Sequence, residues 1–164
     1  MRVPKRRRRE SKTDYKLRIN LLKSGKPRIV FRKTNRCIIG QCIISRSAQD
    51  YVIIGVNSKD LIFYGWPKEK IGSLKSLPAC YLTGLLLGKE MLKKMKEKEY
   101  IVDTGMIRNI KKSKIYAFLK GIVDSGITIN VKREFFPDEK RLKGENTKVK
   151  GIFDKIKENI EKEV

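Results

Sequence analysis

Residues 28–56 read RIVFRKTNRCIIGQCIISRSAQDYVIIGV, a stretch rich in β-branched and aromatic side chains. Three runs in it have the composition of strands, namely 28–33, 37–44 and 51–56. The short segment 34–36 and the segment 45–50 join these runs, so the pattern predicts three consecutive antiparallel strands. Asn tolerates a positive φ, and Asn35 is expected to form the tight turn between the first two strands.

The chain beyond this stretch alternates helical and strand-like segments. Pro78 stands in the first turn of a predicted helix that ends near Met95, and a second predicted helix runs from Ser113 to Gly126. Short apolar runs at 100–102 and 127–131 predict a fourth and a fifth strand. We therefore predict an α/β domain with a mixed five-stranded sheet and flanking helices.

This order of elements, three antiparallel strands followed by helix, strand, helix and strand, is that of the ribonuclease H-like fold. Gly84 and Gly88 lie four residues apart on the first predicted helix and leave a notch on its surface. A membrane-type helix pair is excluded by length, so the notch predicts close packing of this helix against the sheet.

Three regions are expected from composition. Residues 1–27 comprise a basic arm, expected to be disordered over residues 1–12, and a short helix that follows it. Ser11 or Thr13 is expected to cap this helix. Residues 28–133 form the α/β core. Residues 134–164 form a C-terminal extension with a short amphipathic helix, and their eight basic and eight acidic side chains argue against a second nucleic-acid tail.

The charge of the chain is concentrated at its start. The first 36 residues hold 15 Lys or Arg against two acidic residues, a net +13 out of a formal +22 for the whole chain. Such a run repels itself and needs a polyanion to neutralise it. A phosphate backbone is the polyanion that this composition favours, because Lys and Arg contacts release condensed counterions.

Catalytic and metal-binding patterns are missing from the sequence. It has no histidine, no Cys-x-x-Cys pair and no Gly-rich phosphate loop, and its three cysteines are expected to be buried and reduced. A metal-dependent nuclease is the main alternative, but it needs converging carboxylates, and the first predicted strand has none. Asp103 has no acidic partner and is expected to cap the turn before Gly105. We predict no catalytic residue, metal, cofactor or small-molecule substrate.

The sequence also predicts no membrane partner. Its longest apolar run, 79–88, is shorter than the ~20 residues of a membrane span, and its start is too basic for a signal peptide. We expect a soluble intracellular protein.

Several basic segments are candidates for RNA contact, each with a plainer alternative. The run Arg6–Arg9 can bind RNA, act as a localisation signal or remain solvated. Arg28 and Arg32 share a strand face that suits phosphate contact, although charge also blunts exposed sheet edges. Tyr15 can stack on a base or pack on the sheet. Three lysines surround the start of the second predicted helix, namely Lys111, Lys112 and Lys114. The helix dipole does not stabilise cations at this end, so they are either solvated or paired with a bound anion, and we favour the anion.

These residues belong to motifs that resemble a known family. The chain is similar to the archaeal and eukaryotic 5S-rRNA-binding protein of the large ribosomal subunit, the universal eighteenth large-subunit protein. The order and spacing of the motifs over residues 5–146 carry the resemblance: RRRRESKTDY at 6–15, FRKTNR at 31–36, LIFYGW at 61–66, YLTGLLLG at 81–88, FLKG at 118–121 with Asp124 and Gly126, and RLKGE at 141–145.

The resemblance implies a fold related to ribonuclease H without its active site. It also implies a place in the central protuberance, where the family attaches 5S rRNA to large-subunit rRNA beside neighbouring ribosomal proteins. Ile107 stands where many members have His, and the long C-terminal extension of eukaryotic members is not seen, which favours the archaeal type. The predicted RNA-binding residues are Arg6, Arg7, Arg8, Arg9, Lys12, Thr13, Tyr15, Lys16, Arg18, Arg28, Arg32, Lys33, Thr34, Asn35, Arg36, Lys111, Lys112 and Lys114.

Overall fold

The computed structural model describes residues 3–47, 49–95, 99–145 and 151–163. Within these residues the strands are β1 Arg28–Lys33, β2 Ile38–Arg46, β3 Gln49–Asn57 and β4 Ile101–Asp103. The helices are α1 Arg6–Arg9, α2 Tyr15–Lys23, α3 Leu77–Lys94, α4 Lys114–Asp124, α5 Glu139–Leu142 and α6 Phe153–Glu163. Short 3-10 helices span Ser58–Ile62, Lys68–Ser73 and Arg133–Phe135.

The strands form one mixed sheet in the order β3-β2-β1-β4. β2 is antiparallel to both β1 and β3, while β4 is parallel to β1. The predicted α/β class, with a mixed sheet and flanking helices, is confirmed. The core lies between the sheet and α3 and α4, where the rings of Phe31 and Phe118 are 5.1 Å apart. Gly40 on β2 leaves the space that the Phe118 ring fills.

A threonine closes the hairpin between β1 and β2. The Thr34 hydroxyl donates to the Cys37 carbonyl at 2.8 Å and accepts from the Cys37 N–H at 2.9 Å. Asn35 does not adopt a positive φ, unlike Ser47 in the next hairpin, so the expected left-handed turn at Asn35 is wrong. A four-residue loop closed by a side chain reverses the chain without that conformation, since Lys33 pairs with Ile38 across it.

The predicted fifth strand is absent from the sheet of the described residues, which has four strands. Segment 127–131 satisfies its backbone locally, because the Ile127 N–H bonds the Ile122 carbonyl at 3.4 Å and the Val131 N–H bonds the Ile129 carbonyl at 2.9 Å. Ile127 is buried. The β-branched side chains of this segment therefore pack on the core without strand pairing.

Glycines let α3 and α4 approach each other. A Cβ on Gly84 would lie 2.0 Å from the Phe118 carbonyl oxygen, and one on Gly121 would lie 2.1 Å from the Tyr81 carbonyl oxygen. Gly88 meets the end of the same α4 helix. The prediction that the notch of α3 packs on the sheet is wrong, because it is filled by the backbone of α4.

The C-terminal helix α6 packs on the domain. Phe153, Ile156 and Ile160 are buried on one face of it, as its amphipathic pattern predicts. The ring of Phe153 lies 5.3 Å from that of Tyr81 on α3.

Candidate nucleic-acid interface

The charged run at the N-terminus forms a helical turn, α1, where disorder was expected. None of its four arginines is buried. Glu10 lies 3.9 Å from Arg6 and 2.9 Å from Lys12 and offsets part of the local repulsion. The side chain of Arg7 donates to the Thr13 hydroxyl at 2.8 Å, which ties this turn to the start of α2.

Asp14 caps α2, in place of the expected Ser11 or Thr13. Its carboxylate accepts from the backbone N–H groups of Lys16 at 2.9 Å and Leu17 at 3.1 Å. This is the usual way in which an N-cap side chain satisfies the free donors of a first helical turn. The helix projects Lys16 and Arg18 from the arm.

A groove of about 500 Å³ lies between the arm, α2, the end of β1 and the loop after β4. Its basic lining is Arg7, Lys12, Arg18, Arg32 and Lys33, its carboxylates are Asp14 and Asp103, and its apolar lining includes Leu17, Leu21, Met106 and Ile107. Both carboxylates are already engaged by the protein, one as a helix cap and the other by arginines. The groove therefore offers positive charge beside apolar side chains. With Thr13, it brings together six of the residues predicted to bind RNA.

Asp103 organises the arginines of β1. It lies opposite Val30 in the parallel ladder and so between Arg28 and Arg32 on the same face. Its carboxylate accepts from Arg32 at 3.2 Å and lies 3.6 Å from the Arg28 guanidinium. It also accepts from the Gly105 N–H at 2.8 Å, so the predicted cap of that turn is confirmed.

Arg28 does not reach the surface. Its side chain is only 3% exposed, and it donates to Asp50 at 2.6 Å and to Ser45 at 2.8 Å. Arg28 was predicted to contact RNA, but its guanidinium is covered by the β2–β3 hairpin. Arg28 is therefore a buried residue that supports the sheet, and its prediction as an RNA contact is wrong.

The pKa of Asp50 reflects this cluster. Burial acts to raise it, but the Ser45 hydrogen bond and the charges of Arg28 and Arg18 outweigh burial and lower the pKa below its ordinary value. Arg18 on α2 reaches Asp50 at 3.1 Å, so the cluster also fixes α2 against the sheet.

The tip of the β1–β2 hairpin stands apart from the groove lining. Asn35 and Arg36 are exposed there, and the Asn35 carbonyl accepts from the Lys75 ammonium at 3.0 Å. Tyr15 is half-buried, and the Lys5 ammonium sits 4.8 Å from the centre of its ring. One face of Tyr15 is thus already covered by a cation.

The three lysines around the start of α4 do not converge. Lys111 lies 3.7 Å from Glu134, and Lys112 lies 3.0 Å from Asp138. Lys114, the first residue of α4, is half-buried. Burial raises the pKa of the Cys80 thiol to about 12, and the charges of Lys114 and Lys33 act against that rise.

Comparison with known proteins decides the family. A family model described as ribosomal large subunit proteins 60S L5 and 50S L18 matches residues 1–101, which include the arm, the β1–β2 hairpin and α3. The chain belongs to this family. Its resemblance to the eighteenth large-subunit protein is thereby confirmed, and its role is a structural one in the large ribosomal subunit, in the cytoplasm.

Individual relatives cover most of the chain. Large ribosomal subunit protein uL18 of Methanothrix thermoacetophila is 45% identical over 144 residues, which are 88% of this chain and 82% of the relative. The uL18 protein of Korarchaeum cryptofilum is 48% identical over 141 residues, 86% of this chain and 70% of the relative. That of Methanococcus maripaludis is 41% identical over 160 residues, 98% and 79% respectively. In the part of the chain that the structure describes, no helix is long and apolar enough to cross a bilayer.

Two parts of the interface escaped sequence reasoning in this uL18-type protein. Nothing in the sequence around Asp50 indicates its role, because its partner Arg28 is 22 residues away in the chain and comes close to it when the sheet forms. Asp103 did leave a signal. Pairing the predicted strand before it in parallel with 28–33 would have placed its carboxylate between Arg28 and Arg32.

Proposed function

We propose that this chain binds 5S rRNA and attaches it to the large-subunit rRNA in the central protuberance, in contact with neighbouring ribosomal proteins. The observation that carries the proposal is the groove, in which five basic side chains converge beside two carboxylates that the protein itself engages. Such a surface suits a phosphate backbone, whose contacts position an RNA and supply most of its affinity. The choice of 5S rRNA follows from the arm and hairpin motifs that resemble this family.

The proposed contact surface has a centre and a periphery. The centre is the arm and the groove, with Arg6 to Arg9, Lys12, Thr13, Tyr15, Lys16, Arg18, Arg32 and Lys33. The hairpin tip, Thr34 to Arg36, follows Lys33 directly in the chain and extends this surface, and Lys114 at the start of α4 is a further proposed contact. Lys111 and Lys112 belong to the periphery, because they are not part of the groove lining.

We infer that the core has a ribonuclease H-like topology, with the last strand missing from the sheet of the described residues. The order of elements supports this inference. Three antiparallel strands are followed by α3, then by β4, which is parallel to β1, and then by α4. A nuclease is disfavoured, since two-metal cleavage needs carboxylates that converge on cations. Asp103 is engaged instead by two guanidinium groups.

Competition binding tests the proposal. Labelled 5S rRNA from an archaeon is bound to the full chain, and unlabelled 5S rRNA, a structured RNA of equal length and a DNA duplex compete in turn. We expect 5S rRNA to compete at least tenfold better than the other two and to remain uncleaved with magnesium. Equal competition by all three would leave only a general nucleic-acid-binding protein, and cleavage would favour the nuclease.

A further inference from the structure

Arg32 uses its hydrogen-bonding edge on its own protein. One terminal nitrogen donates to the carbonyls of Phe31 at 2.8 Å and Asp103 at 3.0 Å, and the other donates to the Asp103 carboxylate at 3.2 Å. The fork that usually grips a phosphate is therefore occupied. Yet the side chain is 43% exposed, so its planar face and its Nε–H are what a ligand can meet.

The geometry on either side of this guanidinium differs. A Cβ on Gly105 would lie 3.2 Å from Cζ of Arg32 and 3.2 Å and 3.5 Å from its terminal nitrogens. Because Cζ is as close as the nitrogens, the backbone of Gly105 lies over one face of the plane. Asp103 fixes the edge, Gly105 lies against one face, and the side chain, which is 43% exposed, lines the groove. A plane held in this way is a rigid platform.

The rest of the groove suits a flat, partly apolar ligand that carries negative charge beside it. Met106 and Ile107 are exposed apolar side chains in its lining, and Arg7, Lys12 and Lys33 are basic ones. Its volume of about 500 Å³ lies within the ~300–1,000 Å³ of small-ligand sites. Unpaired bases in RNA complexes stack on aromatic rings or on guanidinium planes, while basic residues track the backbone.

We infer that the groove holds one unpaired nucleobase stacked on the free face of Arg32, with the adjacent phosphates near Arg7, Lys12 and Lys33. This site rests on the proposed RNA-binding function and gives it a mode of recognition, a single-stranded or bulged nucleotide in place of a duplex. Asp103 and Gly105 act as positioning residues, since they hold the platform.

The test compares the parent with Arg32→Lys, which keeps the charge and removes the plane. Arg46→Lys, at an exposed position outside the groove, is the matched control. Each protein is titrated with a single-stranded RNA of ten nucleotides, with the same RNA as a duplex, and with 5S rRNA. We expect Arg32→Lys to weaken single-strand and 5S rRNA binding by about tenfold, as stacking energies allow, and to leave duplex binding unchanged. The control should match the parent on all three RNAs.

Abasic nucleotides test the site from the RNA side. They are placed one at a time at the unpaired positions of 5S rRNA, and each RNA is titrated with the parent and with Arg32→Lys. At one position the abasic change should cost the parent about tenfold and cost Arg32→Lys nothing further. If Arg32→Lys does not melt cooperatively, the parent's abasic scan alone decides.

The inference is overturned if Arg32→Lys binds the single strand like the parent, if it loses single strand and duplex equally, or if no abasic position weakens the parent. These outcomes are separate from failure of the proposed function. A parent that does not prefer 5S rRNA would contradict the function, while the comparison of single strand with duplex would still decide the stacking site.

Discussion

Arg28 and Arg32 lie four residues apart on the same face of β1, yet their guanidinium groups have different surroundings. The Arg28 side chain is 3% exposed, whereas that of Arg32 is 43% exposed. Asp50, on the neighbouring hairpin, covers the first, while Asp103 touches both. A buried cation needs such partners, because its desolvation costs several kcal/mol. Arg28 thus supports the fold from a buried position, whereas Arg32 is accessible to a ligand.

Removing the charge of Asp50 tests this support. Asp50→Asn leaves Arg28 with Asp103 as its remaining anion at 3.6 Å, so we expect the free energy of unfolding to fall by about 2–3 kcal/mol. Glu99→Gln is the matched control, since Glu99 pairs with Lys26 in an exposed position, and no measurable change is expected. Urea unfolding without RNA measures both. Equal stability of Asp50→Asn and the parent would contradict the assigned role.

The same cluster predicts a pH dependence. Because the folded protein holds the pKa of Asp50 below its ordinary value of 3.8, the unfolded chain takes up this proton first as pH falls. The stability that Asp50 supplies is therefore complete above about pH 5 and is lost as pH falls past 3.8 and through the lower pKa that Asp50 has in the folded protein. The difference in unfolding free energy between the parent and Asp50→Asn should shrink over that interval. A difference that stays constant down to pH 3 would contradict the shift.

Thr34 provides a second test at single-residue scale. Thr34→Val keeps the shape of the side chain but removes its two hydrogen bonds to the Cys37 backbone and the one it shares with the Cys37 thiol, so we expect a loss of about 1–2 kcal/mol. Asn35→Ala should change stability little, because Asn35 needs no positive φ. Thermal unfolding of both variants decides it. A stronger effect at Asn35 than at Thr34 would restore the turn predicted from sequence.

At the scale of elements, the contact of α3 with α4 depends on the absence of a Cβ. Gly84→Ala would place a methyl group 2.0 Å from a carbonyl oxygen of α4, and backbone cannot move aside as a side chain does. We expect a loss of about 3 kcal/mol or more. Gly72→Ala is the control, since its Cβ meets nothing within 4 Å. If both variants unfold at the same urea concentration, the helices do not pack as described.

Elements with a strong periodic pattern could be predicted from sequence, and their partners could not. The three antiparallel strands and the helices α3 and α4 follow from composition, caps and spacing. Segment 127–131 has the composition of a strand, but pairing depends on a neighbouring edge that composition does not reveal. The glycine notch on α3 was likewise evident, while its partner was misassigned. In the groove, sequence reasoning had singled out the basic residues as candidates, but it had not recognised that Asp50 and Asp103 orient the arginines.

The arm is an element whose removal should separate binding from folding. None of the residues of α1 is buried, and its link to α2 is the bond from Arg7 to Thr13. Deleting residues 1–12 should therefore leave the thermal midpoint without RNA nearly unchanged. Affinity for 5S rRNA should fall by at least tenfold, since Arg7 and Lys12 leave the groove with the arm. Loss of the cooperative melt in the truncated protein would show that the arm is structural.

On the scale of the whole molecule, charge is distributed unevenly, and this should govern association. The first 36 residues carry a net +13 of the formal +22, while residues 134–164 carry equal numbers of acidic and basic side chains. α6, in that neutral segment, packs on the core through its apolar face. The field of the molecule therefore points out from the arm and groove, and an RNA is attracted to that side.

Salt dependence measures how many of these charges contact phosphate. Each neutralised phosphate adds about −0.7 to −0.9 to the slope of log K against log salt. We expect a steep slope for 5S rRNA between ~50 and ~200 mM salt. Lys33→Gln, in the groove, should reduce it by about one such increment. Lys155→Gln, at an exposed position on α6, removes the same charge from the neutral extension and should leave the slope unchanged. An equal reduction by both variants would mean that net charge alone drives binding, and that the groove has no special part in it.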